Sequence, residues 1–347
     1  MARTHLRVLS QADVLSLLSN TLPSSLLALM SRTFHTFSTV SGAAQVPHRT
    51  TVQTGAHSVL FMPARLEGVG TAIKMVSVPT RGQRDGLPAT TILLDEETGE
   101  AKAVVNARAL TAMRTAAGSA IATLHLSSPT STHLLVFGSG AQARAHIDLI
   151  LNVRPTITHV TVWNRSAGGV TDLVSNLRVR HEALTFRALV RETDKGDLMA
   201  AVQEADIICT CTNSSTPLFS GRWIKPGAHL NCIGSYTLSM EEVDQDTISR
   251  ARVVVVDSVE ACKVEAGEFV REVKEGRRTV EDGWVEIGNL VDDDGGVIEQ
   301  VRERIRLDQE QDVTIFKSVG ISVQDCAIAG WVVGKAEESG VGVVVEY

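Results

Sequence analysis

"VFGSGAQARAH", residues 136–146, carries an apolar strand into two glycines and then into a helix. Gly138, Gly140 and Ala143 stand in the pattern G-x-G-x-x-A, a weak signal by itself. Its setting gives it weight: "HLLVFG" (133–138) reads as a buried strand, "AQARAHIDLILNV" (141–153) as an amphipathic helix and "HVTVW" (159–163) as the next strand. Gly138 permits the tight turn, Gly140 lets the backbone approach a pyrophosphate, and Ala143 lets the helix lie close to the sheet. Ser139, Gly140, Ala141 and Gln142 then form the cradle, at a helix N-terminus whose free N–H groups and dipole favour anions. The bland alternative is a glycine turn in an α/β fold that holds no nucleotide.

The alternation continues outward. "TFRALV" (185–190), "DIICTCT" (206–212), "AHLNCIG" (228–234) and "RVVVVD" (252–257) read as strands, with helices in "AGGVTDLVSNLRV" (167–179) and "DLMAAVQEA" (197–205). This predicts an α/β fold, a Rossmann-type doubly wound parallel sheet within 129–310, although 259–310 yields no readable order of elements. Upstream, "TTVQTGAHSVLFMPA" (50–64), "GTAIKMVSVP" (70–79) and "ATTILLDEETGEAKAVV" (89–105) alternate as strands, with "DEETGE" as a hairpin turn. "ARALTAMRTAAGSAIATLHL" (107–126) reads as a helix closed by "SSPTS", and "TIFKSVGISVQDCAIAGWVVGKAEES" (314–339) as a turn and a helix packing back on this first region. The expected division is 1–128 with 311–347 as an α+β domain, and 129–310 as the nucleotide domain.

About 25 residues after the glycine turn, where an acid would bond a ribose 2′-OH, stand Asn164, Arg165 and Ser166. An Asp or Glu there repels a 2′-phosphate, whereas Arg165 can pair with one and Asn164 and Ser166 add neutral donors. This favours NADPH, with NAD(H) still possible; a solvent-facing polar turn is the alternative. Ligands of open α/β sheets lie beyond the carboxyl ends of the strands. "TCTNSSTP" (210–217), with Thr210 and Thr212, and "CIGSYT" (232–237) should therefore border the cofactor, with Ser235 where nicotinamide and reacting carbon meet.

The formal net charge of −7 and the absence of a Lys/Arg cluster argue against nucleic acid. The five cysteines show no CxxC spacing, so neither a disulfide framework nor a metal site is suggested, and a reducing, cytoplasmic location is expected. No apolar run approaches the roughly 18 residues of a membrane span. Residues 1–66 hold five arginines and the single acid Asp13, a bias like that of a presequence, but "LRVLSQADVLSLL" (6–18) reads as the strand and capped helix that open a folded domain.

Charges on apolar faces mark a second region. Lys74 shares a strand face with Ala72 and Val76, and Arg114 a helix face with Leu110, Ala117 and Ile121. A buried cation is costly unless it meets an anion, although either side chain is also readable as snorkelling.

"VPHRTT" (46–51), "IKMVSVP" (73–79), "LTAMRTAAGSAIA" (110–122), "FGSGAQARAH" (137–146), "ADIICTCTNSSTPLF" (205–219), "KPGAHLNCIGS" (225–235), "EEVD" (241–244) and "TIFKSVGISVQD" (314–325) together resemble the ornithine cyclodeaminase/mu-crystallin family. The resemblance implies a homodimer in which the first region and the C-terminal helix form a substrate-binding and dimerisation domain. It implies that Arg49, Lys74 and Arg114 surround a substrate carboxylate, with Lys74 near the reacting nitrogen. Thr91 and Thr115 are implied as nicotinamide or phosphate contacts and Ser318 as lying close to the nicotinamide, while Asp325 is expected as a helix-capping or supporting carboxylate. The cyclodeaminase branch, which turns ornithine into proline and ammonia with recycled NAD, uses an aspartate where Ser235 stands. Ketimine and pyrroline-2-carboxylate reductases do not need it, so the sequence points to NADPH-dependent reduction of a small imino acid. A cyclodeaminase, or a crystallin-like protein that holds NADPH and a small ligand without turnover, are the alternatives.

Overall fold

The computed structural model describes residues 5–80, 87–277, 279–306 and 313–347. In chain order they form β1 (His5–Leu9), α1 (Gln11–Ser19), α2 (Pro23–Thr39), β2 (Ala44–Gln45), β3 (Thr50–Gln53), β4 (His57–Leu66), β5 (Gly70–Pro79), β6 (Ala89–Leu94), β7 (Ala101–Asn106) and α3 (Arg108–Leu126). Next come β8 (His133–Phe137), α4 (Ala141–Val153), β9 (His159–Asn164), α5 (Ala167–Arg180), β10 (Thr185–Val190), α6 (Lys195–Glu204), β11 (Ile207–Thr210), β12 (His229–Cys232), α7 (Gln245–Ser249) and β13 (Val254–Val256). The last are α8 (Val259–Glu265), α9 (Gly267–Lys274), α10 (Val280–Gly283), β14 (Trp284–Glu286), α11 (Glu299–Arg306), β15 (Thr314–Lys317), α12 (Ser322–Ser339) and β16 (Val343–Glu346).

These elements pack as two units, Met1–Thr115 with Asp293–Gly295 and Ile321–Tyr347, and Ala116–Asp292 with Gly296–Gly320. The first passage between them falls inside α3, not after it near residue 128. The helix is continuous, but Arg114 bonds to Asp325 of the first unit, whereas Ser119 and Thr123 bond to His146 and Asn231 of the second. The chain returns at Ile321, because β15 belongs to the second unit's sheet.

In the first unit the described strands run in the order β16-β1-β7-β6-β5-β4-β2, with β3 also on β4. All pair antiparallel except β1 with β7. Ser10 caps α1 through a reciprocal pair with Asp13, which fixes where β1 ends and the helix starts. The 95–100 turn is held by Asp95 Oδ1, which accepts the N–H groups of Glu97 and Thr98. β5 alternates buried and partly buried positions, so Ala72, Lys74 and Val76 share the inner face, which α12 covers.

The second unit is a parallel sheet in the order β10-β9-β8-β11-β12-β15-β13-β14. Leu134 and Val136 of β8 face one apolar layer with α4 and α5, and Leu135 and Phe137 face the other with α6 and α7. This two-sided burial is why the strands read as unbroken apolar runs. One expectation fails: "TIFK" opens no turn but is β15, inserted between β12 and β13. Four residues carry too little pattern to signal a strand whose partners lie far away in sequence. Among the described residues no single helix is long and apolar enough to cross a membrane.

Candidate active site

The sheet of the second unit reverses its direction of growth between β8 and β11, the switch point where such folds bind ligands. Gly138 begins the turn there with φ 107°, a left-handed backbone that suits glycine. A Cβ on it would also lie 2.6 Å from the carbonyl oxygen of Cys211. Its N–H donates to the carbonyl of Trp163 (2.8 Å), which sets the exit of β9 beside the turn. Gly140 is the N-cap of α4, no side chain caps that helix, and the space a Cβ would fill at Gly140 is open. The turn from Ser139 through Ala141 and Gln142 thus presents uncapped N–H groups to open space, a fit for pyrophosphate. Ala143 is buried against the sheet, as expected.

A residue with no sequence signal steadies this helix. His146 is buried on α4; its Nδ1 donates to the Gln142 carbonyl (2.8 Å) and its Nε2 accepts from Ser119 Oγ (2.9 Å). Burial lowers its pKa to about 4, so the ring is neutral and this tautomer persists at physiological pH. At the end of β9 the Asn164 amide donates to the Ser166 carbonyl (2.9 Å), folding the turn on itself, and Ser166 makes no capping bond to α5. Arg165 is exposed and, among the described residues, makes no ion pair.

Beyond β11 and β12 the expected contact residues turn inward. Glu242, fully buried, accepts from Thr210 Oγ1 (2.8 Å), from Thr212 N and Oγ1 (2.7 Å each), and from the N–H groups of Gly234 (2.7 Å) and Ser235 (3.2 Å). Burial raises its pKa, against Lys317 and these donors, which favour the anion. The Ser235 hydroxyl donates to Glu268 Oε2 (2.6 Å) and its carbonyl accepts from Lys317, so all three polar groups of Ser235 are engaged within the unit. The Ser318 hydroxyl donates to Asp257 Oδ2 (2.7 Å), which also takes the N–H groups of Val319 and Gly320. Ser235 is therefore an anchored loop residue whose hydroxyl proton is already used. Sequence reasoning missed Glu242, Asp257, Glu268 and Lys317 as loop anchors, although Glu242 lies in "EEVD" and Lys317 in "TIFKSVG".

In the first unit the structure brings the predicted cations together. Lys74 Nζ lies 2.7 Å from Asp325 Oδ2, Arg114 Nε lies 3.0 Å from Asp325 Oδ1, and all three side chains are buried. Asp325, in the first turn of α12, is thus the supporting carboxylate between two cations. Thr91 is buried on β6 opposite Lys74, while Thr115 donates to the Thr111 carbonyl one turn back on α3 (2.8 Å). Burial lowers the pKa of Lys74 from 10.5 to about 7; Asp325 opposes the fall, and Arg114 and Arg49 add to it. Arg49, half-buried before β3, thus acts on the same group. Two cations, Lys74 and Arg114, share the one carboxylate of Asp325, a setting suited to a further anion. An ammonium that titrates near neutrality can also hand over a proton.

Known proteins resemble this chain over most of its length. The Delta(1)-pyrroline-2-carboxylate reductase of Bacillus cereus is 31% identical over 301 residues, covering 84% of this chain and 85% of the relative. The structure of Thermococcus litoralis Delta(1)-pyrroline-2-carboxylate reductase in complex with NADH and L-proline superposes with a TM-score of 0.84 at 26% identity, over 97% of this chain and 99% of that one. An archaeal alanine dehydrogenase dimer with bound NAD gives 0.82 at 25% identity, over 99% of this chain and 100% of that one. The profile of the ornithine cyclodeaminase/mu-crystallin family matches residues 7–340, and the chain belongs to that family.

Proposed function

We propose that the chain is an NAD(P)H-dependent imine oxidoreductase that reduces a small cyclic imino acid, pyrroline-2-carboxylate or piperideine-2-carboxylate, to proline or pipecolate. The observation that carries this reading is Lys74, buried with Arg114 and Asp325 and titrating at about 7. Arg49 and Arg114 bind the carboxylate, and the Lys74 ammonium gives its proton to the ring nitrogen and then, as a neutral amine, accepts the iminium N–H. The protonated C=N is the more electrophilic form, and holding it in place is catalysis by orientation. Reduction adds a proton at nitrogen and a hydride at C2, the hydride being what a nicotinamide cofactor supplies when bound. The open turn at Gly140 and the uncapped start of α4 hold the pyrophosphate. The exposed Arg165 receives a 2′-phosphate, which makes NADPH the preferred donor. The buried acids Glu242, Asp257 and Glu268 keep the loops after β11, β12 and β15 in shape around that cofactor.

The first unit serves as the substrate-binding and dimerisation domain of a homodimer, a reading supported by the dimeric archaeal relative. The deciding assay follows NADPH and NADH oxidation with both imino acids, beside ammonia release from ornithine. Turnover of an imino acid with net NADPH consumption is expected. Ammonia release without net change of the cofactor would replace this reading with a cyclodeaminase. No turnover of either kind would leave a ligand-holding protein.

A further inference from the structure

Arg114 carries five N–H donors, and two are already committed within the first unit. Nε donates to Asp325 Oδ1 (3.0 Å) and Nη1 to Gln324 Oε1 (3.1 Å). The two acceptors are neighbours in the first turn of α12 and hold two of the three guanidinium nitrogens. Among the described residues one N–H on Nη1 and both on Nη2 remain, and these two outer nitrogens are the fork that can meet a carboxylate.

Gln324 is itself fixed. Its Nε2 donates to the backbone carbonyl of Arg114 (3.0 Å) and lies 3.9 Å from Met30 Sδ, and the side chain is buried. A carbonyl oxygen only accepts, so the amide is held with its nitrogen toward the main chain of Arg114 and its oxygen toward the guanidinium. An amide meets both demands. A glutamate would set an anionic oxygen against that carbonyl and give Arg114 a second acid beside Asp325, cutting the positive charge left for a ligand.

We propose that Gln324 is a positioning and specificity-determining residue: it orients Arg114 with its outer fork toward the substrate carboxylate and, being neutral, leaves that fork unclaimed. It acts through Arg114 and so rests on the reading of Arg114 as the carboxylate ligand. The test compares steady-state kinetics of Gln324→Met, Gln324→Glu and Arg114→Gln with pyrroline-2-carboxylate and NADPH. Both Gln324 variants should raise KM for the imino acid about tenfold or more while KM for NADPH stays unchanged. Gln324→Glu should raise KM for the imino acid more than Gln324→Met, because its carboxylate claims Arg114 and opposes the substrate anion. An unchanged imino-acid KM in both Gln324 variants, with a rise in Arg114→Gln, would overturn the role of Gln324 alone. An equal rise for both substrates in the Gln324 variants would also overturn it, as general damage to the fold. No rise in Arg114→Gln would remove the carboxylate reading beneath it.

Discussion

Replacing Lys74 with methionine, close in length but uncharged, measures what the buried ammonium costs the fold. The unfolded chain keeps this proton to about pH 10.5, whereas the folded chain releases it at about 7, because burial and two arginines outweigh Asp325. Between these values the unfolded state binds one proton more, so wild-type stability rises with pH, by up to about 1.4 kcal/mol per unit from this group. Over the interval of about 3.5 units this comes to about 5 kcal/mol, a cost carried in full below pH 7 where both states are protonated. Lys74→Met abolishes the slope, and Asp325 keeps Arg114 as a partner at 3.0 Å. The variant should lose imino-acid turnover, and its stability relative to wild type should fall by about 2 kcal/mol between pH 7 and pH 9. Urea denaturation of both proteins at pH 7, 8 and 9, at one protein concentration, reads this directly. Parallel stability curves would refute the burial argument.

Arg165→Ala should raise KM for NADPH at least about tenfold and leave that for NADH nearly unchanged, since a charged hydrogen bond to the 2′-phosphate is lost; equal effects on both cofactors would remove the phosphate role. Gly138→Ala forces a Cβ against the Cys211 carbonyl at φ 107° and should cost about 2 kcal/mol or more in thermal denaturation, with a wild-type melting curve as the contrary outcome. Glu242→Gln keeps the shape but can no longer accept at both oxygens, so loops 210–213 and 233–235 should lose hydrogen-exchange protection while the β8–β9 region keeps it. The wild-type rate should fall as pH rises through about 7, where Lys74 loses the proton that it would pass to the imine nitrogen; a profile flat from pH 6 to 9 would exclude Lys74 from that role.

The nucleotide half was legible because its signals are local: a glycine turn, an apolar strand before it and a helix after it lie within about 20 residues of sequence. Lys74 was legible as a buried cation because strand alternation tied it to Ala72 and Val76, both buried with it. What buries with it was not legible from pattern, because Asp325 lies 211 residues beyond Arg114 and no periodicity joins them; only the family resemblance marked it as a supporting carboxylate. The same distance hid Gln324. For Ser235, Thr210, Thr212 and Ser318 the strand-end rule identified the right loops but not where their hydroxyls point, which is set by acids on other elements. Resemblance to a family supplied the idea of a cation cluster; the structure added its balance of charge.

The insertion of β15 bears on the order of assembly. β12 and β13 follow one another in sequence yet are not neighbours, since the chain leaves the sheet, travels on to Thr314 and returns to fill the gap between them. A nascent chain that has not reached Lys317 therefore has two unpaired inner edges in the middle of its nucleotide-binding sheet. Such edges are sticky, and pairings between distant segments form slowly. β8 to β12 can register early, but the outer pair β13–β14 must wait for a strand that starts 28 residues after it, from Glu286 to Thr314. The last strand to enter the sheet is also the one that brings Lys317 to the carbonyl of Ser235. The loop after β12 is thus locked only when the rest of the sheet has closed, which makes completion of the fold and completion of the cofactor-binding edge the same event.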